Sequence, residues 1–167
     1  SKPYKDHLTE AAKQYGDLFE TYNKFTAGLY ARMQQGRLYK ELGQSDKAIE
    51  VLKQMLSLAG EGETGRTLRS ESLALLLETY LEPKVKKYAD ALAQVEQWQE
   101  GARGAEESSP EGLKVHFLAG QAALSLAEGM KESDPKRKDH LKAARQHFEF
   151  VGRFRGDLQR EAKNMLE

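Results

Sequence analysis

The chain has 167 residues, with 26 Lys and Arg against 26 Asp and Glu, and it contains no cysteine. This length suits one domain with a sizeable core, and the zero formal charge argues against a strongly electrostatic nucleic-acid binder. Because 22 leucines and 19 alanines stand against only five valines and one isoleucine, the residue types that favour pleated sheet are scarce. The composition therefore predicts an all-α protein without disulfides, thiol nucleophiles or thiolate metal sites.

Apolar residues spaced by three and four predict eight helices, with ends marked by glycine, proline and small polar residues. In chain order these cover residues 1–25, 26–42, 45–59, 67–81, 83–98, 110–130, 134–151 and 158–167. Gly43 is placed to end the second helix, and Ser45 is placed to cap the third. Pro83 closes the fourth helix and can also start the fifth.

The seventh helix has agreeing start signals, since Asp134 can cap it and Pro135 occupies its first turn. Two segments are predicted as loops, 60–65 and 101–109, of which the second is the best candidate for mobility or proteolytic nicking. The longest apolar runs fall far short of the roughly 18 residues that span a bilayer, so no membrane insertion is expected. Localisation stays open between cytoplasm and periplasm, because a trimmed leader would leave the same sequence.

A pattern of small residue, aromatic, turn, alanine and large apolar residue recurs in the helix pairs and is clearest in the second and third helices. There Gly36 and Tyr39 lie three residues apart, Gly43 lies at the turn, and Ala48 and Leu52 lie four apart. These residues at these spacings resemble the tetratricopeptide repeat.

Two further helix pairs carry decayed versions of the pattern. The first of them keeps Tyr80 and Ala91, but Leu77 stands where the family prefers glycine, and the second keeps Gly120 and Phe148. The alanines that the pattern places in the second helix of each pair, Ala48, Ala91 and Ala144, are 43 and 53 residues apart. These intervals are longer than the family's usual repeat of roughly 34 residues. The family's closing proline is missing from all three pairs, so the resemblance is to a divergent member.

The resemblance implies a right-handed superhelical stack of antiparallel helix pairs, a solenoid of about eight helices in a single domain over residues 1–167. The expected units are a partial one over about 1–25, then 26–60, 67–100 and 110–154, with a terminal helix over 157–167. Small residues such as Gly36 and Gly120 would let helices approach, while Leu52 and Phe148 fill the space beside them. The chain would begin with the second helix of one pair, a phase that suggests a fragment of a longer protein.

In this family the first helix of each pair lines a concave groove that binds an extended or helical segment of another protein. The resemblance therefore implies a non-catalytic interaction module or scaffold segment whose partner is another protein or a peptide. The groove residues carried onto this sequence are Tyr30, Met33, Arg37, Lys40, Glu71, Ala74, Glu78, Lys114, Phe117 and Gln121.

Within this set, Met33 and Phe117 would offer adaptable apolar contact, and Arg37 and Lys114 would donate to carboxylates or backbone carbonyls. The helical stripe alone fits Met33 and Phe117 nearly as well as packed core residues. One subset of the family grips a partner's C-terminal carboxylate with lysines and asparagines. Such a clamp is disfavoured here, because neither of the two asparagines falls at a groove position.

No catalytic, metal or cofactor site is predicted. Only His140 and His147 share a helix face, and their spacing of seven does not suit metal ligation, whereas His116 is interpreted as a hydrogen-bonded core histidine. No catalytic carboxylate pair, Ser/His/Asp set or phosphate-binding loop stands out. The middle of the chain is acidic and the stretch 131–160 is basic, but acidic residues interrupt the basic stretch, so no nucleic acid is expected as partner.

Two alternatives stay open alongside the interaction module. The chain could be a regulatory or substrate-presenting domain of a larger protein with catalysis elsewhere. It could also be an enzyme in its own right, which would require a pocket with convergent titratable groups. The oligomeric state is not determined by these patterns.

Overall fold

The computed structural model describes residues 2–167 and contains nine helices in that range. They are α1 (Lys2–Tyr22), α2 (Thr26–Glu41), α3 (Ser45–Leu58), α4 (Glu63–Tyr80), α5 (Tyr88–Gly101), α6 (Gly104–Glu107), α7 (Pro110–Glu128), α8 (Pro135–Gly152) and α9 (Asp157–Asn164). The described residues form no strand, which confirms the all-α prediction. Ser1, where the first predicted helix begins, lies outside the described residues. Over residues 2–167, none of the helices has the length and apolar character needed to cross a membrane.

The chain divides into two compact units, with the boundary between Thr79 and Tyr80 at the end of α4. In the first unit, α2 packs against both α1 and α3. In the second unit, α7 is the central helix, because it contacts α5, α6, α8 and α9, and α8 also contacts α9. Ten residues of α7 are buried, in agreement with the small number of polar residues in the sequence of this helix.

The starts of α7 and α8 follow the local signals in the sequence. The Asp134 side chain accepts a 2.9 Å hydrogen bond from the Lys136 backbone N–H, and Pro135 occupies the first turn. The Ser109 hydroxyl likewise accepts from the Gly112 N–H at 3.0 Å ahead of the restart at Pro110. Each cap satisfies a backbone donor that the first turn of a helix leaves open.

Gly43 ends α2 as predicted. Its φ of 71° lies in the left-handed region that side chains disfavour, and its N–H donates to the Lys40 carbonyl at 2.9 Å. The following N–H, of Gln44, reaches back to the Tyr39 carbonyl at 2.9 Å. These two bonds form a Schellman motif, which satisfies carbonyls at the helix end.

One predicted cap and one predicted helix start are wrong, although α3 does begin at Ser45 as predicted. Gln44, rather than Ser45, occupies the N-cap position of α3, and its side chain makes no capping bond. Pro83 does not start α5, which begins only at Tyr88. The reason is a turn after α4, in which Lys86 has a φ of 50° and interrupts the helical course.

Both predicted loops are shorter than expected. The segment 101–109 contains the short helix α6, whose last turn is closed by the Ser108 N–H and hydroxyl, both donating to the Gly104 carbonyl. The helix α4 begins at Glu63, inside the segment predicted as the loop 60–65. A Cβ at position 65 would lie only 2.1 Å from the Gly60 carbonyl oxygen, so a residue with a side chain would clash there. Glycine at position 65 therefore permits this helix start.

Close helix contacts occur where the repeat pattern places glycine. A Cβ on Gly36 would lie 2.8 Å from Leu52 of α3, and one on Gly120 would lie 2.7 Å from the Phe148 ring of α8. Leu52 and Phe148 are themselves fully buried. The predicted packing of small residues beside large ones is therefore present in both units.

Candidate interaction surface

Four of the predicted groove residues meet on one surface of the first unit. Arg37 Nη2 of α2 lies 2.9 Å from Glu71 Oε1 of α4, and Lys40 Nζ lies 3.1 Å from Glu78 Oε2. We call these four residues the α2/α4 charged face. Arg37 and Lys40 are three residues apart on α2 and Glu71 and Glu78 are seven apart on α4, so each helix presents its two residues on one face and both pairs lie along the same line of contact.

The α2/α4 charged face is partly open to solvent. The side chains of Arg37 and Glu71 are 40% and 31% exposed, and those of Lys40 and Glu78 are 27% and 23% exposed. Arg37 binds Glu71 through Nη2, while its Nε is buried without a hydrogen-bond partner. Ion pairs that are open to solvent contribute about 0–1 kcal/mol each to stability, and Arg37–Glu71 is the more open of the two pairs.

The remaining predicted residues of the first unit divide between surface and interior. Tyr30 is exposed, as a groove position requires. Met33 has no exposed surface, and Ala74 is also buried. Met33 is thus a core residue rather than an adaptable contact, because α2 turns this position toward its neighbouring helices.

The second unit holds the last three predicted residues. Lys114 is exposed and Gln121 is half-buried. Phe117 is buried, and its ring contacts the Phe148 ring edge to face at 5.7 Å between centroids. Phe117 is therefore part of the α7/α8 core, since this aromatic pair gains more from mutual packing than from solvent exposure.

A polar cleft that sequence patterns did not indicate lies between α1, α2 and the start of α3. Its volume is about 350 Å³, and its walls include Lys13, Glu20, Tyr39 and Lys47. Lys47 lies over the Tyr39 ring at 5.4 Å from its centroid. The cleft therefore presents charges of both signs, three cations against two carboxylates.

Arg32, another residue of this cleft, is held in place on several sides. Its guanidinium lies 4.8 Å from the centroid of the Phe19 ring and donates to the side-chain oxygens of Gln35 and Gln54. Gly16 provides the room for Gln35, because a Cβ there would lie 2.6 Å from the Gln35 amide nitrogen. These contacts fix the wall of the cleft and link α1, α2 and α3.

The second unit contains a histidine cluster, which we define as Glu107, His116 and His147; His116 is buried and the other two residues are half-buried. His116 Nδ1 lies 2.9 Å from His147 Nδ1, and His116 Nε2 lies 3.1 Å from Glu107 Oε2. Because a carboxylate can only accept, His116 Nε2 carries the proton shared with Glu107. In a neutral ring His116 Nδ1 then accepts, so the Nδ1–H of His147 is the donor between the rings.

Aromatic rings enclose the histidine cluster. His116 lies 4.3 Å from the Phe150 ring centroid and 5.6 Å from that of Trp98. The indole N–H of Trp98 donates to Glu106 at 3.2 Å, and Glu106 is only 8% exposed. The interpretation of His116 as a hydrogen-bonded core histidine is confirmed.

Burial lowers the pKa of His116 from 6.5 to about 4. The pKa of His147 is also lowered to about 4, mainly by burial and further by His116, although the Glu107 carboxylate acts in the opposite direction. Both rings are therefore neutral at pH 7. Protonating both would place two N–H donors face to face at 2.9 Å, which the geometry does not accommodate.

No local sequence signal indicated this cluster, because His116 and His147 are 31 residues apart and belong to different helices. Their hydrogen bonds are made to each other and to Glu107, so the rings are oriented by structural contacts. Over residues 2–167, His, Cys, Asp and Glu side chains do not form a group of three or more that could hold a metal ion.

Comparison with known proteins gives no match, since no family model, no curated protein and no solved structure is significantly similar to this chain.

Proposed function

We propose that the protein is a non-catalytic interaction module that binds a peptide or helix of another protein at the α2/α4 charged face. The observation that carries this proposal is the pairing of Arg37 with Glu71 and of Lys40 with Glu78. By the resemblance to the tetratricopeptide family, all four residues stand at positions that line the groove.

The helices that the two pairs join support the same arrangement. Both pairs link the first helix of one expected unit with the first helix of the next, as the groove of the tetratricopeptide family requires. The close contacts of Gly36 with Leu52 and of Gly120 with Phe148 fit the family's packing of paired helices. We accordingly propose a right-handed stack of antiparallel helix pairs as the architecture that presents this face.

The chemistry of the face indicates the kind of segment that would bind. Two cations on α2 lie beside two carboxylates on α4, so a bound segment would offer alternating acidic and basic side chains. Tyr30, exposed on α2, adds an aromatic surface for an apolar residue of that segment. Binding would exchange intramolecular ion pairs for intermolecular ones without reorganising the core.

Selection from a displayed library of random peptides of about 12 residues would test this proposal. We expect enriched peptides to lose at least about tenfold in affinity for the Arg37→Ala chain, because a charge-assisted hydrogen bond is removed. The Arg145→Ala chain is a matched control, since Arg145 also forms an exposed ion pair, with Glu149. Fluorescence anisotropy with labelled peptides gives the affinities.

A charge exchange makes the test sharper. The double substitution Arg37→Glu with Glu71→Arg preserves an ion pair within the protein but inverts the charges that a partner meets. We expect it to abolish binding while circular dichroism and thermal unfolding stay unchanged. Peptides that bind the exchanged chain as tightly as the original would contradict the proposed site.

A further inference from the structure

The first helix has two apolar faces, and its packing within the first unit accounts for only one of them. Ala12 and Phe19 are buried where α1 contacts α2. A second set of apolar residues is centred roughly 70° further around the helix, at 100° per residue, and adjoins the buried set at Leu8. We call this set the outer stripe; it consists of Tyr4, Leu8, Ala11, Tyr15, Leu18 and Tyr22.

The outer stripe is exposed towards its two ends and half-buried in its middle, at Leu8, Ala11 and Tyr15. Tyr4, Leu18 and Tyr22 are 57%, 46% and 48% exposed, and its other members are only half-buried. Successive members are separated by four, three, four, three and four residues. That alternation is the seam spacing by which one helix packs against another in a coiled coil.

The sizes of its members indicate which orientation fits. The series reads the same in both directions about position 13, as a regular seam spacing does, so an antiparallel copy of α1 can place each apolar residue opposite another. Tyr4 then meets Tyr22 of the second copy, and Leu8 meets Leu18. Near the axis the small Ala11 meets the large Tyr15, a pairing of sizes that fills the space without overlap.

The border of the outer stripe permits a like copy to approach. His7, Gln14 and Thr21 lie along its open edge, and none of them carries a carboxylate, ammonium or guanidinium group. In an antiparallel pair these edges face each other, with His7 across from Thr21 of the second copy. No like charges are therefore brought together along this edge.

We propose that the outer stripe is a self-association surface, through which α1 pairs antiparallel with α1 of a second copy of this chain. A two-fold axis near residue 13 makes the contact isologous and closed, so it produces dimers rather than filaments. One helix of about 31 Å per copy gives an interface at the low end of specific contacts, roughly 1,000 Å². The dimer should therefore dissociate on dilution.

Sedimentation equilibrium from about 1 µM to about 500 µM tests this association. We expect the mass to rise from monomer to dimer, and the Leu18→Glu chain to remain monomeric throughout. The Leu58→Glu chain is the control, because Leu58 is a similarly exposed leucine, 41%, on α3. Circular dichroism verifies that both variants are folded. The proposal is overturned if the unmodified chain stays monomeric, or if Leu18→Glu and Leu58→Glu change the association equally.

The orientation can be tested separately, because the chain has no cysteine of its own. The His7→Cys and Thr21→Cys substitutions leave the outer stripe intact. An equal mixture of these two chains, oxidised mildly, should give mainly the mixed disulfide between them. Mainly homodisulfides would overturn the antiparallel arrangement.

Discussion

In the first unit Tyr22, Phe25 and Tyr30 are each about half exposed or more, whereas in the second Trp98 and Phe148 are less than a tenth exposed. Titratable groups follow the same division. The α2/α4 charged face is partly open to solvent, but the histidine cluster is enclosed by aromatic rings. The first unit thus leaves several aromatic and charged side chains open to solvent, although Phe19 is buried, whereas the second places aromatic rings around a buried histidine.

The largest expected effect comes from comparing a phenylalanine of each unit. Phe148→Ala should lower the free energy of unfolding by about 3–5 kcal/mol, because it removes a fully buried ring and leaves a cavity beside Gly120. Phe25→Ala should change it by less than about 0.5 kcal/mol, since Phe25 is exposed. Urea unfolding followed by circular dichroism measures both values. Similar losses for the two variants would remove the distinction between the units.

A second effect follows from the lowered pKa values of His116 and His147. The unfolded chain binds protons at these groups below about pH 6.5, whereas the folded chain does so only near pH 4. The free energy of unfolding is therefore unaffected by protonation of these two groups above pH 6.5. It falls as the pH falls toward 4, by about 3 kcal/mol for each ring that must become charged.

Unfolding measured in urea at a series of pH values tests this dependence. The double substitution His116→Gln with His147→Gln should flatten the stability profile between pH 6.5 and 4. If the substituted and unmodified chains lose stability in parallel over this range, the histidine cluster is not the source of the loss.

A smaller effect distinguishes two glutamates. Glu106→Ala should lower the free energy of unfolding by about 1–3 kcal/mol, because it removes the acceptor of the buried Trp98 N–H. Glu71→Ala should cost at most about 1 kcal/mol, since its pair with Arg37 is partly solvated. Fluorescence of the single tryptophan should also change in the first variant and not in the second. If the two substitutions lowered the free energy of unfolding equally, the greater burial of Glu106 would have no effect on its contribution to stability.

Much of the secondary structure could be predicted because its signals are local. Asp134 and Pro135 start α8, and Gly43 ends α2, through hydrogen bonds that reach only a few residues along the chain. The start of α5 could not be predicted, since Pro83 is compatible with both a turn and a first helical turn. The short helix α6 inside a polar segment likewise places Glu106 in contact with Trp98 of α5, which helical periodicity does not indicate.

The candidate site was predictable in part. The family resemblance placed Arg37, Lys40, Glu71 and Glu78 on a common surface, and the structure pairs them. The same pattern could not assign Met33, because an apolar residue at helical spacing suits a groove and a core equally well. Its burial is decided by the helices that pack around it.

The sequence by itself determined that this protein is helical, where most of its helices lie, and that α1 carries an apolar stripe with seam spacing. These properties depend on propensity, periodicity and capping, which act between residues close in the chain. Only the tertiary structure decided that the outer stripe stays exposed towards its ends, that Phe117 is core, and that His116 and His147 share a hydrogen bond. Each of these depends on which helix faces overlap, and that is settled by packing between residues distant in sequence.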